Sequence, residues 1–104
     1  MFIFMFFIFN FCVMKILSYE ELSIFIKKEL SIPDNPRIVK CQSQISSLDH
    51  IFILLEEDIT FMRPWQGYFE TFHKGDYLNT DTEDIYGITK QMFSSCYQNL
   101  PQNN

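Results

Sequence analysis

The sequence predicts a small single-domain α+β fold: an N-terminal helix, an antiparallel meander of three to four strands and a C-terminal helix. Three observations carry this. A helix-start signature stands at residues 18–22, alternating or doubly apolar runs fill 37–63, and an apolar stripe at helical spacing runs from 85 to 96. With that order, the economical arrangement lays both helices on one face of the meander.

The first helix has the strongest local signal. Ser18 can accept from the amides of the first turn, and Glu21 three residues on closes a capping box. Leu17 and Leu22 stand at the two positions of a hydrophobic staple. Phe25, Ile26 and Leu30 supply the apolar side, Lys27 and Lys28 suit the last turn, and Pro33 stops the helix. Residues 32–36 then read as a turn, because two prolines fix φ and Asp34 and Asn35 tolerate tight geometry.

From Arg37 to Ile45 the chain alternates. Val39, Cys41, Ser43 and Ile45 fall on one side and Lys40, Gln42 and Gln44 on the other, the pattern of an edge or half-buried strand. Residues 50–55 fit either a helical stripe or a strand. A helix would set Glu56, Glu57 and Asp58 against its own negative end, which favours the strand. Residues 59–63 read as the return strand of a hairpin, ended by Pro64. The aromatic-rich stretch 68–73 is a further strand, closed by the turn Lys74-Gly75-Asp76. A final helix is expected to start near Thr80 or Asp81. Thr80 and Glu83 have capping-box spacing, acids at 81, 83 and 84 suit a helix start, and Ile85, Ile88, Met92, Phe93 and Cys96 form the stripe. Gly87 would weaken that helix by up to ~1 kcal/mol.

Residues 1–14, MFIFMFFIFNFCVM, carry no charge and only one polar side chain, Asn10. The run is shorter than the ~20 residues that cross a bilayer, and neither a positive start nor a small-residue cleavage site accompanies it. Residues 1–13 therefore read as a non-native or disordered apolar extension upstream of a start at Met14. A single domain over 14–100 and a frayed tail over 101–104 follow. The alternative is a small membrane-anchored protein using 1–14; with a start at Met14, no membrane is expected. The absence of Ala, the thirteen Ile and the excess of Lys over Arg fit an AT-rich coding sequence more than a function.

Thirteen acids against eight bases give a net charge of −5. That argues against direct nucleic-acid binding, which needs Lys and Arg to displace counterions, and suits a basic protein partner. Cys12, Cys41 and Cys96 show no paired spacing, so they read as reduced, buried thiols of a cytoplasmic protein. No cofactor or metal is expected. A calcium loop counted from Asn79 needs Gly at position six and Glu at position twelve, where Asp84 and Lys90 stand. The glycines at 67, 75 and 87 are scattered, so no phosphate cradle exists, and no hydrolase or nucleotide fingerprint appears. Cys41 or Cys96 beside His50 or His73 would be needed for thiol chemistry, and neither cysteine has an activating setting in sequence. The chain is expected not to be an enzyme.

A surface remains. Arg63-Pro64-Trp65-Gln66-Gly67-Tyr68 sets the only Trp in a Pro- and Gly-flanked connection, and Trp, Tyr and Arg dominate protein-binding hot spots. The simpler reading folds Trp65 back as a lid on the sheet edge; the functional one presents it as an anchor. Candidate partner-binding residues are Glu56, Glu57, Asp58, Arg63, Trp65, Tyr68, Asp76, Tyr77 and Asp81, an acidic rim around aromatic anchors. The corresponding function is that of a small acidic, cytoplasmic protein-binding protein of the immunity or antitoxin kind, inhibiting a basic toxin or nuclease. The alternative is a ligand-binding domain or minor enzyme using His50 or His73.

Overall fold

The computed structural model describes residues 15–100. The expected extension at 1–13 and tail at 101–104 lie outside the described residues. Two helices and eight strands build a small α+β fold with two sheets: β1 (Lys15–Ile16), α1 (Tyr19–Leu30), β2 (Ile38–Ser43), β3 (Asp49–Leu54), β4 (Ile59–Phe61), β5 (Glu70–Phe72), β6 (Tyr77–Asn79), β7 (Gly87–Ile88), α2 (Lys90–Cys96) and β8 (Tyr97–Asn99). The larger sheet runs β7-β6-β3-β2-β8, with every pair antiparallel. The smaller runs β1-β4-β5, β1 lying parallel to β4 and β5 antiparallel to it.

The strand content exceeds the expected three- to four-stranded meander, and the reason is local. Both flanks of β3 are taken, by β2 and β6, so β4 cannot return beside it. Glu56, Glu57 and Asp58 instead carry the chain across to the second sheet, where Ile59, Thr60 and Phe61 are all buried. A strand covered on both faces carries no alternation that would reveal its partner.

The two sheets trap the main core. Leu22 and Ile26 of α1 pack with Ile53, Leu78, Phe61 and Phe72. Phe52, beside Ile53 in β3, points the other way and packs with Cys41 and with Phe93 of α2. The helices thus cover opposite faces of the larger sheet rather than sharing one. β2 is interior to that sheet, between β3 and β8, and not an edge.

α1 forms as its sequence specifies. The Glu21 amide donates to Ser18 Oγ at 3.0 Å and the Ser18 amide to Glu21 Oε1 at 2.9 Å. Its last turn carries a buried charge, Glu29, which Arg37 Nε reaches at 2.7 Å and Asn35 Nδ2 at 3.1 Å. The second helix starts ten residues later than expected. Thr80 Oγ1 donates to Ile51 O, and Asp81 Oδ1 accepts from the Glu83 amide. These bonds hold 80–84 as a turn, which short polar side chains favour over helix. Asn79 clamps that loop by accepting from the Tyr86 amide and donating to Asp84 O. Thr89 is the actual cap, accepting from the Met92 amide at 3.1 Å. Gly87 sits in β7 where a Cβ would stand 2.7 Å from the Phe72 ring, so its smallness serves a close approach of the two sheets.

Candidate partner-binding site

The connection from β4 to β5 is a built structure. Pro64 follows Arg63, the Gln66 amide closes the turn on Arg63 O at 2.9 Å, and Gln66 Oε1 accepts from the Arg63 amide at 3.1 Å. Gly67 supplies a φ of +80°, a region that favours glycine, and Gln66 Nε2 donates to Glu70 Oε1 at 2.6 Å. With the Gln66 side chain spent on internal bonds, the turn lifts three aromatics outward. Trp65, Tyr68 and Phe69 are 60%, 58% and 59% exposed. Trp65 is therefore not a lid on the core.

Neighbouring elements hold the base of this ridge. The Arg63 guanidinium lies 4.9 Å from the Trp65 ring centroid and 5.9 Å from that of Tyr86, and its Nη2 donates to Asp84 Oδ1 at 2.9 Å. Arg63 Nε is buried without a hydrogen-bond partner among the described residues. Tyr19, the first residue of α1, packs edge-on to Trp65 with centroids 6.1 Å apart, and its hydroxyl accepts from the Ile85 amide at 2.7 Å. Burial and the neighbouring Tyr97 push the Tyr86 phenol up to about 12, so it stays neutral at physiological pH. The 63–69 loop, the start of α1 and the 80–86 loop are thus joined around Trp65 and Arg63.

Of the residues expected to form the site, Arg63, Trp65 and Tyr68 stand together there. Asp81 belongs to the adjoining loop, where its carbonyl accepts from the Asp84 amide, and it lines a shallow groove with Asp49 and His50. The others lie elsewhere. Glu56, Glu57 and Asp58 precede β4 while Arg63 follows it, so a strand separates them. Each has its own local partner: Glu56 with Arg37 at 3.4 Å, Glu57 with Lys15 at 2.9 Å, and Asp58 with His73 at 3.1 Å. The Lys74 amide and His73 together hold the Asp58 carboxyl below its usual range. Asp76 is buried and accepts from the His73 and Lys90 amides, both at 2.8 Å, which ties the β5–β6 turn to the start of α2. Tyr77 stacks on Phe93 at 4.0 Å between ring centroids and belongs to the second core cluster.

Sequence reasoning passed over Phe69 and Tyr19, and it offered Asp84 only as one of the acids that could flank the aromatic anchors. Phe69 was legible as part of an aromatic run, but nothing local marks Tyr19 or Asp84 as neighbours of Trp65. The acids that contact the ridge are Glu70, through Gln66, and Asp84, through Arg63.

The cysteine readings divide. Cys41 is buried and faces His50 across β2 and β3; desolvation, with Asp49 adding to it, pushes its thiol up to about 11. A thiol so protonated is a poor nucleophile at neutral pH. His50 packs among the rings of Phe52 and Tyr97. Cys96 is half-exposed rather than buried, its Sγ 3.6 Å from Met92 Sδ, because α2 buries only Phe93. Cys12 lies outside the described residues. Among the described residues, no three His, Cys, Asp or Glu side chains converge to hold a metal, and no helix is long and apolar enough to cross a membrane.

Comparison with protein-family models, with curated proteins and with solved structures finds no match.

Proposed function

We propose that this chain is a small, non-catalytic protein-binding protein that docks a basic protein through the 63–69 ridge, in the manner of an immunity or antitoxin-type inhibitor of a basic toxin or nuclease. The observation that carries this reading is the exposure of Trp65, Tyr68 and Phe69 within five residues on a turn whose own hydrogen bonds hold it in shape. Rigid amphipathic rings give contact area at small entropic cost, and a pre-formed turn leaves little ordering for the partner to drive. A net charge of −5 supplies long-range attraction toward a basic protein. Free thiols at Cys41 and Cys96 suit a cytoplasmic setting.

The test is affinity capture from the native host with the wild-type chain and with the triple variant W65S/Y68S/F69S. The wild type is expected to retain a basic protein that salt elutes and that the variant does not hold, while both chains unfold at the same urea midpoint. Identical captured sets for the two chains would contradict the reading.

A further inference from the structure

The 63–69 ridge runs directly into β5, and β5 is an edge strand. Its pairing with β4 uses one side only: Phe72 opposite Ile59, Thr71 opposite Thr60 and Glu70 opposite Phe61. Among the described residues, no backbone group of 68–72 bonds to anything outside that pair. Natural edges are commonly guarded by Lys, Pro or a bulge. On the opposite edge of the same sheet, β1 carries Lys15, ion-paired to Glu57. Residues 68–72 contain neither Lys nor Pro, and their one charge is Glu70. The 81–84 turn, tied to the ridge by the Arg63–Asp84 ion pair, carries two further carboxylates, Asp81 and Glu83. Among the described residues the edge thus has an unpaired backbone side, with exposed aromatics before it, Glu70 as its own charge, and His73 and Lys74 after it.

We infer that the free edge of β5 takes up an extended, Lys- or Arg-bearing segment of a partner protein as an added strand, with Trp65, Tyr68 and Phe69 covering its apolar side chains. This rests on the reading of the ridge as a docking surface and specifies how the partner is held. Main-chain hydrogen bonds give such complexes their affinity, and the side chains at alternate positions give selectivity. A strand with bases at every second position sets them beside Glu70 and the 81–84 turn. A second copy of this chain is disfavoured as occupant, because each copy brings the same negative charge to the edge.

The experiment uses the full chain, isotope-labelled, titrated in amide-resolved NMR with the peptide Ac-Lys-Val-Lys-Thr-Lys-Val-Lys-Thr-NH2. Its counterpart with Glu in place of Lys is the control. The basic peptide is expected to shift the amides of 68–72 and to slow exchange of the outward-facing ones by at least about tenfold. The acidic peptide is expected to do neither, and E70K is expected to abolish the response with its remote amides unchanged. Shifts confined to Trp65 and Arg63 with no slowed exchange in β5 would overturn strand addition while leaving the ridge as a docking surface. No response to the basic peptide up to about 1 mM, an affinity weaker than specific recognition requires, would overturn the inference as well. So would an equal response to both peptides, or a dimer in sedimentation whose β5 amides are already protected.

Discussion

At the scale of single residues, the charge that matters most for stability is Glu29. It is buried at the end of α1, and the Arg37 guanidinium, with a contribution from Asn35, holds its carboxyl below the ordinary value of 4.5. A carboxylate with a depressed folded-state pKa stabilises the fold fully above its unfolded value. That contribution is lost as pH falls below 4.5 and through the lower folded value. Glu29→Gln is therefore expected to destabilise by about 1–2 kcal/mol at pH 7, since it removes charge-assisted hydrogen bonds and keeps the shape. The difference between the two proteins should shrink steadily in urea melts taken at decreasing pH below the ordinary carboxylate value. A constant difference across that range would show that the charge of Glu29 contributes nothing. No sequence pattern announced this pair; the notable local signal at α1 was its start, and there Ser18 and Glu21 do what their spacing implies.

Elements were legible where their signals are local. The capping box placed α1, the acidic run after residue 55 favoured a strand for 50–55 where β3 runs over Asp49–Leu54, and Gly75, at φ +97°, turns the chain between β5 and β6. The failure at 80–89 has a physical cause. Ile85 and Phe93 satisfy a helical period, yet they belong to different cores on opposite faces of the larger sheet. The period reported burial correctly at Ile85 and Phe93 but not at Met92, which is exposed, and it reported conformation wrongly, because a turn followed by a short strand can also present Ile85 inward. Two variants separate the caps. Thr89→Ala should cost about 1 kcal/mol and increase hydrogen exchange at the Met92 amide, as loss of a helix cap does. Thr80→Ala removes only a bond to Ile51 O and should leave exchange in α2 unchanged. Protection in α2 that follows Thr80 and ignores Thr89 would restore the longer helix. Sheet membership was not legible at all, since whether β4 joins β3 or β5 depends on which flanks are already occupied.

For the whole molecule, the division into two sheets decides what the surface can do. β4 separates the acids at 56–58, each engaged by a neighbouring base or amide, from the exposed rings at 65–69. The acidic rim expected from sequence is thus not one rim. Its members at 56–58 lie at a crossing between sheets, Asp76 anchors α2, Asp81 lines a groove with Asp49 and His50, and Glu70 and Asp84 contact the aromatic ridge. Trp65 and Arg63 were legible as candidates because hot-spot residue types stood in a turn. The neighbours that brace them, Tyr19 and Asp84, come from distant parts of the chain and appear only with the fold. The measurement that bears most directly on the ridge as a docking surface is the dissociation constant between the chain and its captured partner, for wild type and Trp65→Ala, at low and high salt. An anchor of this kind predicts at least about thirtyfold weaker binding for Trp65→Ala, from the roughly 2 kcal/mol typical of a hot-spot aromatic, and weakening of both proteins by salt. Wild-type affinity in the variant, unaltered by salt, would contradict it.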